Sequence, residues 1–195
     1  MDKLTLAYMK GIIDSEGIWD PVNKRLVVSN TSEELIDWLV KNFGGSVSRQ
    51  AWSTLTTKQS YQWRPSAREA VALVSILPVL EDMPPECSRA YIAGFVDGDG
   101  TIYLHKRIRN GRLQTTPRVI VTNSKSVESI EYIHQIYGGS LSSMNPRPKH
   151  REKKPYVYLL IAGKARAGSM IRDMLPFLII KRAKVLEVLN GCLTG

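Results

Sequence analysis

Apolar positions along this chain switch between a helical and a strand period, and they do so twice. Leu6, Met9 and Ile13 recur at helical spacing in one stretch, and Ile92, Phe95 and Val96 in another. Each stretch runs into acids and then a glycine, Gly17 or Gly100, which is predicted to stop the helix. Period-two patterning follows. Over residues 101–121, Ile102, Leu104 and Ile108 alternate with Tyr103, His105, Arg107 and Arg109, which predicts a strand with one apolar and one basic face. The return strand opposes Leu113, Val119 and Val121 to Arg112, Gln114, Thr116 and Arg118, and Asn110-Gly111 between them is a hairpin-turn signal. The first half carries a shorter hairpin. Helical spacing returns after Thr31-Ser32-Glu33-Glu34, a capping-box pattern. A second hairpin (46–64 and 140–161) and a closing helix complete each pass. The predicted order is α-β-β-α-β-β-α, twice over: a mixed α/β (α+β) chain with antiparallel sheets covered by helices on one face.

The two passes also match in sequence. YMKGIIDSEG (8–17) corresponds to YIAGFVDGDG (91–100), LVVSNTSEELIDWLVKNFGGSVS (26–48) to RVIVTNSKSVESIEYIHQIYGGSLS (118–142), and PSAREAVALVSILPVL (65–80) to GKARAGSMIRDMLPFL (163–178). Gly-Gly-Ser and Leu-Pro recur as signposts. A duplicated unit is therefore expected, with repeats at 1–83 and 89–195 and a short linker at 84–88.

Composition narrows the class. The chain has 195 residues, of which 43% are hydrophobic, in the range of ordinary globular proteins. No apolar run reaches membrane-spanning length, so no membrane association is expected. The N-terminus, MDKLTLAYMKGII, lacks the pattern of a secretory signal, and Cys87 and Cys192 form no disulfide or metal pattern. An intracellular protein of cytoplasm, nucleoid or organelle matrix, not secreted, is the expectation. Charge adds more. The net charge is +9, with 9 Lys/Arg against 11 Asp/Glu up to residue 86 and 18 against 7 afterwards. Such an excess, set on a sheet face that mixes Arg with Gln, Ser and Tyr, points to nucleic acid, whose major groove admits a two-stranded ribbon.

The doubled motif carries candidate chemistry. Gly11 and Ser15, like Gly94 and Gly98, put small residues on one helix face, so that two such helices can meet backbone to backbone. Their last acids, Glu16 and Asp99, would then converge. Carboxylates that close repel, and a hard divalent cation such as Mg²⁺ relieves the repulsion and suits phosphoryl transfer. A calcium loop starting at Asp97 is excluded, because its sixth position is Ile102 and its twelfth Ile108. A turn alone would explain one DGDG segment, but not two at matching repeat positions.

On these residues the chain resembles the single-chain, two-motif LAGLIDADG homing endonucleases, over nearly its whole length. The resemblance implies pseudo-twofold αββαββα units with saddle-like DNA-binding sheets. It implies a monomer that makes double-strand cuts in a long asymmetric DNA site, across the minor groove, with Mg²⁺ as cofactor. Glu16 and Asp99 match the metal-binding catalytic acids, and the backbone carbonyls of Ser15 and Gly98 match further metal contacts. Asp14 and Asp97 match structural acids bonded to backbone. Asn30 and Asn123 match a polar position that holds water near the scissile phosphates, although a turn residue before a helix cap is the alternative. Lys181, five residues after Pro176, matches a lysine that stabilises transition-state charge; the same offset from Pro78 gives Met83, so the half-sites are unequal. Pro84-Pro85 is expected to cut the last helix of the first repeat short, and Lys10 to leave its helix face more exposed.

DNA contact is expected from Tyr103, His105, Arg107, Arg109, Arg112, Gln114, Thr116 and Arg118 in the second repeat. In the first repeat it is expected from Asp20, Lys24, Arg25, Ser48, Gln50, Gln62 and Arg64. The Pro-rich run 145–155 is read as a loop that grips phosphate through Arg147, Lys149, Arg151, Lys153 and Lys154. Two other functions fit the same scaffold: an intron RNA-splicing maturase, with intron RNA as partner, and a non-catalytic DNA-binding protein. With no flanking nucleophile at residue 1, protein splicing is not expected. Because phosphate contacts release counterions, duplex affinity should fall by about a thousandfold between ~50 and ~200 mM salt. Fluorescence anisotropy across that range checks this, and a flat response contradicts a basic sheet that grips phosphate.

Overall fold

The computed structural model describes residues 1–50, 59–144 and 156–193. Its elements follow the expected order: α1 (Lys3–Glu16), β1 (Gly17–Asp20), β2 (Arg25–Asn30), α2 (Glu33–Phe43), β3 (Ser46–Arg49), β4 (Tyr61–Arg64) and α3 (Ala67–Ile76). Then come α4 (Pro85–Asp99), β5 (Gly100–Arg109), β6 (Arg112–Asn123), α5 (Val127–Tyr137), β7 (Ser140–Met144), β8 (Tyr156–Ala162) and α6 (Arg166–Met174). One further helix, α7 (Arg182–Leu193), follows the second pass and has no counterpart in the first. The fold is α+β, with two four-stranded antiparallel sheets of identical topology, β1-β2-β4-β3 and β5-β6-β8-β7. No helix among the described residues is long and apolar enough to cross a membrane.

By packing, the chain divides into Met1–Gly98 and Asp99–Gly195. The first unit therefore includes almost all of α4, because α4 is buried against α1. Ala90, Tyr91, Ile92, Ala93, Phe95 and Val96 are all fully buried. Of the three apolar positions that the helical spacing singles out in α1, only Met9 is buried; Leu6 and Ile13 are half-buried. The inward face is instead Tyr8, Met9, Gly11, Ile12 and Ser15, because the small residues and not the largest aliphatic ones meet the partner helix. A Cβ on Gly11 would lie 2.1 Å from the Tyr91 carbonyl oxygen, and one on Gly94 would lie 2.2 Å from that of Tyr8. No L side chain fits either position without parting the helices.

Tyrosine hydroxyls close this interface from both sides. Tyr8 donates to Asp97 Oδ2 at 2.8 Å, and Tyr91, its counterpart in the repeat, donates to Asp14 Oδ2 at 2.9 Å. The structural acids thus bind hydroxyls of the opposite helix, where the family pattern had suggested backbone. Burial and the neighbouring Asp97 carboxylate push the Tyr8 hydroxyl well above the ordinary tyrosine range. Lys10 is part-buried and pairs with Asp14 at 2.6 Å, so the lysine in the motif is held by a charge four residues on. From Tyr8 an edge-to-face aromatic chain runs through Trp38 (4.8 Å between ring centroids) and Phe43 to the buried Trp63 of β4, tying α1, α2 and the first sheet together.

Local signals explain the element ends. Gly44 and Gly138 take φ of +67° and +65° and donate to Val40 and His134, closing α2 and α5. The residue after each glycine abuts strand backbone, since a Cβ on Gly45 or Gly139 would come within 2.8 Å of Arg64 or 2.6 Å of Leu160 carbonyl oxygen. That is why Gly-Gly recurs. Leu-Pro follows the end of both α3 and α6; Leu77 is extended, as a residue before proline prefers, whereas Leu175 keeps helical dihedrals. Pro84-Pro85 does not shorten α3, which has already stopped at Ile76; Pro85 opens α4 instead. Ser32 caps α2 by accepting from Leu35, without a reciprocal glutamate. The full capping box is the Ser66–Glu69 pair of α3.

In the second unit, β5 and β6 form a long ribbon closed at Asn110-Gly111, both with positive φ. Helix α7 lies along its apolar face, with Gly191 close enough that a Cβ would meet Leu104 at 2.7 Å, and with its carbonyl accepting from the Thr115 hydroxyl. The apolar face continues beyond that helix, and so Ile108 (76% exposed) and Leu113 (57%), paired across the strands, stay in solvent although the pattern marks them as inward.

The interlocked helices give a direct stability test. Gly94→Ala should cost about 3 kcal/mol in urea denaturation, because the added methyl opposes backbone and not a yielding side chain. A loss within ~0.5 kcal/mol, the range of ordinary surface changes, would contradict backbone contact.

Candidate nucleic-acid interface and acidic centre

Each sheet turns its polar face away from the side that packs on helices, and register decides which residues share that face. In β5 and β6, Tyr103 stands opposite Arg118, His105 opposite Thr116, Arg107 opposite Gln114 and Arg109 opposite Arg112. Residues directly opposite in an antiparallel pair point to the same side. All eight candidates of the second repeat therefore form one ladder, exposed at its outer end and half-buried toward Tyr103 and Arg118. The Nε of Arg118 is buried and makes no hydrogen bond. A buried guanidinium nitrogen without an acceptor is costly, and a phosphate or base edge on this face would satisfy it.

In the first sheet, Asp20 pairs with Arg25, and Gln62 stands between Ser29 and Ser48. Asp20, Arg25, Ser48, Gln62 and Arg64 share one face, around a shallow depression of about 210 Å³ lined also by Ile18 and Val27. Two candidates carry other duties. Asp20 accepts from the backbone of Val22 and Asn23 and from the Asn23 amide, which holds its carboxyl below the usual range, and Lys24 sits in the same turn with φ of +50°. Their local role is the β1–β2 turn. Gln50 follows β3 and ties back to Ser60 and Ser48, and Arg64 donates to Gln62. Arg147, Lys149, Arg151, Lys153 and Lys154 lie outside the described residues.

The candidate acids sit at helix ends, one in each unit. In the first unit, α1 ends at Glu16, and Asn30, the last residue of β2, directs its amide to Glu16 Oε1 at 3.4 Å. Ser15 is buried, with its hydroxyl donating back to Gly11 and Ile12. Its carbonyl belongs to the last helical turn, where no i+4 amide follows within the helix. Within the same unit Gly98 lies against this end of α1: a Cβ there would meet Ser15 Oγ at 2.1 Å and Glu16 Cγ at 2.9 Å. Met83, where the second repeat has its lysine, is buried.

In the second unit, Asn123 ends β6, is buried, and donates from Nδ2 to Asp99 Oδ2 at 2.6 Å. Burial pushes the Asp99 carboxyl above the usual range, while the Asn123 hydrogen bond and the positive charges of Lys125 and Lys181 pull it back. Lys181 precedes α7, where its carbonyl accepts from Val185 at the helix entrance, so it is positioned by that helix without lying inside it. Lys125 was not singled out from the sequence. The signal available was its place two residues after Asn123, where the first repeat has Ser32.

Both acids thus sit where a cation is favoured: at helix C-termini, which carry partial negative charge, with no basic residue in the last turn. Glu16 and Asp99 are each hard oxygen donors, of the kind that suits a divalent ion such as Mg²⁺. Among the described residues, no group of three or more His, Cys, Asp and Glu side chains forms a metal cluster. An ion at either acid would take its further ligands from backbone carbonyls, water or phosphate.

Comparison with known proteins defines the fold. No family model matches the chain. A solved structure of meganuclease I-SmaMI bound to uncleaveable DNA is similar over 98% of this chain and 91% of that one, with a TM-score of 0.67 at 14% identity. I-SmaMI bound to an uncleaved DNA target in the presence of calcium ions gives the same score and identity over 99% and 91%. The I-SmaMI LAGLIDADG homing endonuclease bound to cleaved DNA gives 0.64 at 15% identity over 99% and 89%. The chain has the LAGLIDADG homing-endonuclease fold, in its two-motif, single-chain form. A 97-residue stretch is also 34% identical to an A-type ATP synthase component of Methanopyrus kandleri; it spans 48% of this chain and about a tenth of that protein's length.

The electrostatics of Asp99 generate a prediction for the metal-free protein. A raised carboxyl pKa favours the protonated folded form. That stabilisation is fully present below the ordinary carboxylate pKa and is lost as pH rises through the folded value. At neutral pH the ionised group is therefore a cost. Asp99→Asn in chelator should raise the melting temperature at about pH 7, and raise it less at about pH 3. A lowered melting temperature at neutral pH would show that the carboxylate is stabilising.

Proposed function

We propose that the chain is a site-specific DNA endonuclease that makes double-strand cuts in a long asymmetric target by divalent-cation-dependent phosphodiester hydrolysis, with Mg²⁺ as the ion. The observation that carries this reading is the matched pair of acids. Each ends a motif helix, and each takes the amide of an asparagine at the end of a strand whose sheet turns a polar, basic face outward.

In this reading Glu16 and Asp99 hold the ion together, with the carbonyls of Ser15 and Gly98 as further ligands. Bound there, the ion supplies positive charge to the scissile phosphate and its leaving oxygen. The chain's own residues do the rest. The ladder from Tyr103–Arg118 to Arg109–Arg112 orients the duplex, reading base edges with Arg and Gln and phosphates with the remaining cations. Arg118, whose Nε lacks an acceptor, takes one from DNA. Lys125 and Lys181, beside Asp99, favour the charge that builds on phosphate during cleavage. The first unit has buried Met83 at the position of Lys181 and Ser32 at that of Lys125, so the two strands are cut at unequal rates. The chain works as an intracellular monomer.

A maturase is the second reading, favoured by the cations Lys164, Arg166 and Arg172 in and near α6, which the DNA-facing sheets do not use. Cleavage of randomised duplexes with Mg²⁺ separates the two. Wild type should give specific double-strand cuts, and Asp99→Asn and Glu16→Gln should lose at least about a thousandfold in rate with duplex binding retained. No cuts from folded, DNA-binding wild type, together with tight binding to structured intron RNA, would overturn the endonuclease in favour of the maturase.

A further inference from the structure

The hydrogen bonds of the two strand-end asparagines assign them a role other than holding the attacking water. Asn123 Oδ1 accepts from the backbone N–H of Lys125 at 2.6 Å and of Ser126 at 2.9 Å, while its Nδ2 donates to Asp99 at 2.6 Å. Asn30 repeats the arrangement: Oδ1 accepts from Ser32 N–H at 2.8 Å, and Nδ2 donates to Glu16 at 3.4 Å. In each case the amide oxygen, the atom that would accept a proton from water, is spent on the turn that opens the following helix. The amide nitrogen is spent on the acid.

We infer that Asn30 and Asn123 are positioning residues, which fix the rotamers of Glu16 and Asp99 for binding a divalent cation by anchoring each carboxylate to a helix-entry turn. The inference rests on the endonuclease reading of the site for its catalytic meaning, and on the hydrogen bonds alone for its geometry. A turn residue with no further role would leave its amide nitrogen to solvent. Here both nitrogens reach the candidate acids, at equivalent places in the repeat. The two anchors are unequal. Asn123 is held by two backbone N–H groups and makes a short bond to a half-buried acid, whereas Asn30 is held by one and makes a long bond. Asp99 is therefore the more firmly oriented ligand, and Glu16 the more adjustable one.

The turn and the donor can be separated. Serine at either position keeps a turn acceptor and lacks the amide donor. Mn²⁺ binding to the full chain is read by calorimetry, with melting temperature and metal-free duplex binding measured alongside. Asn123→Ser should weaken Mn²⁺ binding by about tenfold or more, the usual cost of losing a group that orients a metal ligand, with folding and metal-free duplex binding preserved. Asn30→Ser should weaken it less, and it carries the test by itself if Asn123→Ser does not fold. Unchanged Mn²⁺ affinity in a folded variant overturns the inference. If cleavage nonetheless falls, the amide acts on water or DNA and the endonuclease reading stands. Weakened Mn²⁺ binding in a protein whose wild type cuts no duplex upholds the positioning role and sinks the endonuclease. A wild type that takes up no Mn²⁺ overturns the inference outright.

Discussion

Backbone contact between α1 and α4 is the constraint on which the rest depends. Gly11 faces the Tyr91 carbonyl and Gly94 that of Tyr8, each within about 2 Å of where a Cβ would stand. At that separation no ordinary side chain occupies the seam, and polar groups there must find partners in the facing helix. Tyr8 with Asp97 and Tyr91 with Asp14 meet this requirement twice, by the same pair of residue types at equivalent places in each copy. A motif that is glycine, then acid, then acid at fixed spacing is thus a packing device first. Its last acid stands at the helix end, beside the strand-end asparagine, where the helix dipole favours positive charge.

This arrangement lets one short motif pack two helices and still present an acid at each helix end. Asp97 is buried and accepts from Tyr8, and half-buried Asp14 is shared by Tyr91 and Lys10, whereas Glu16 and Asp99, two residues on, meet the strand-end asparagines. Burial leaves Asp99 at odds with its own charge, a cost of the kind that functional sites carry. The duplicated chain also diverges where chemistry tolerates it. The second unit has the longer ribbon, the added α7, and lysines beside its acid. The first has a short hairpin, whose turn occupies Asp20 and Lys24.

Much of this was legible in the sequence, because the repeat tested each reading against its own copy. Helix and strand periods, the Asn110-Gly111 turn and the eight-residue ladder of the second sheet all follow from local patterning, and register confirms that the eight share a face. The rest depended on partners distant in sequence. Leu6 and Ile13 have helical spacing but are not the inward face, because small residues at Gly11 and Ser15 decide which side α4 meets. Ile108 and Leu113 obey strand alternation yet stay exposed, because alternation says which face a residue shares and not how far a covering helix extends. The tyrosines that open each motif show no role in the sequence, since nothing local distinguishes a buried hydroxyl with a partner from an aromatic in the core. Helix α7 was missed because it lies beyond the repeat. Lys125 lacked any signal except a departure between copies.

The proposed endonuclease turns on one divalent cation being held jointly by Glu16 and Asp99. Anomalous diffraction from crystals of the chain soaked in Mn²⁺, with duplex DNA present, tests it most directly. The account predicts a peak within bonding distance of both carboxylates, lost in Asp99→Asn. Peaks on neither acid, or on separate ions that each touch only one, would contradict it.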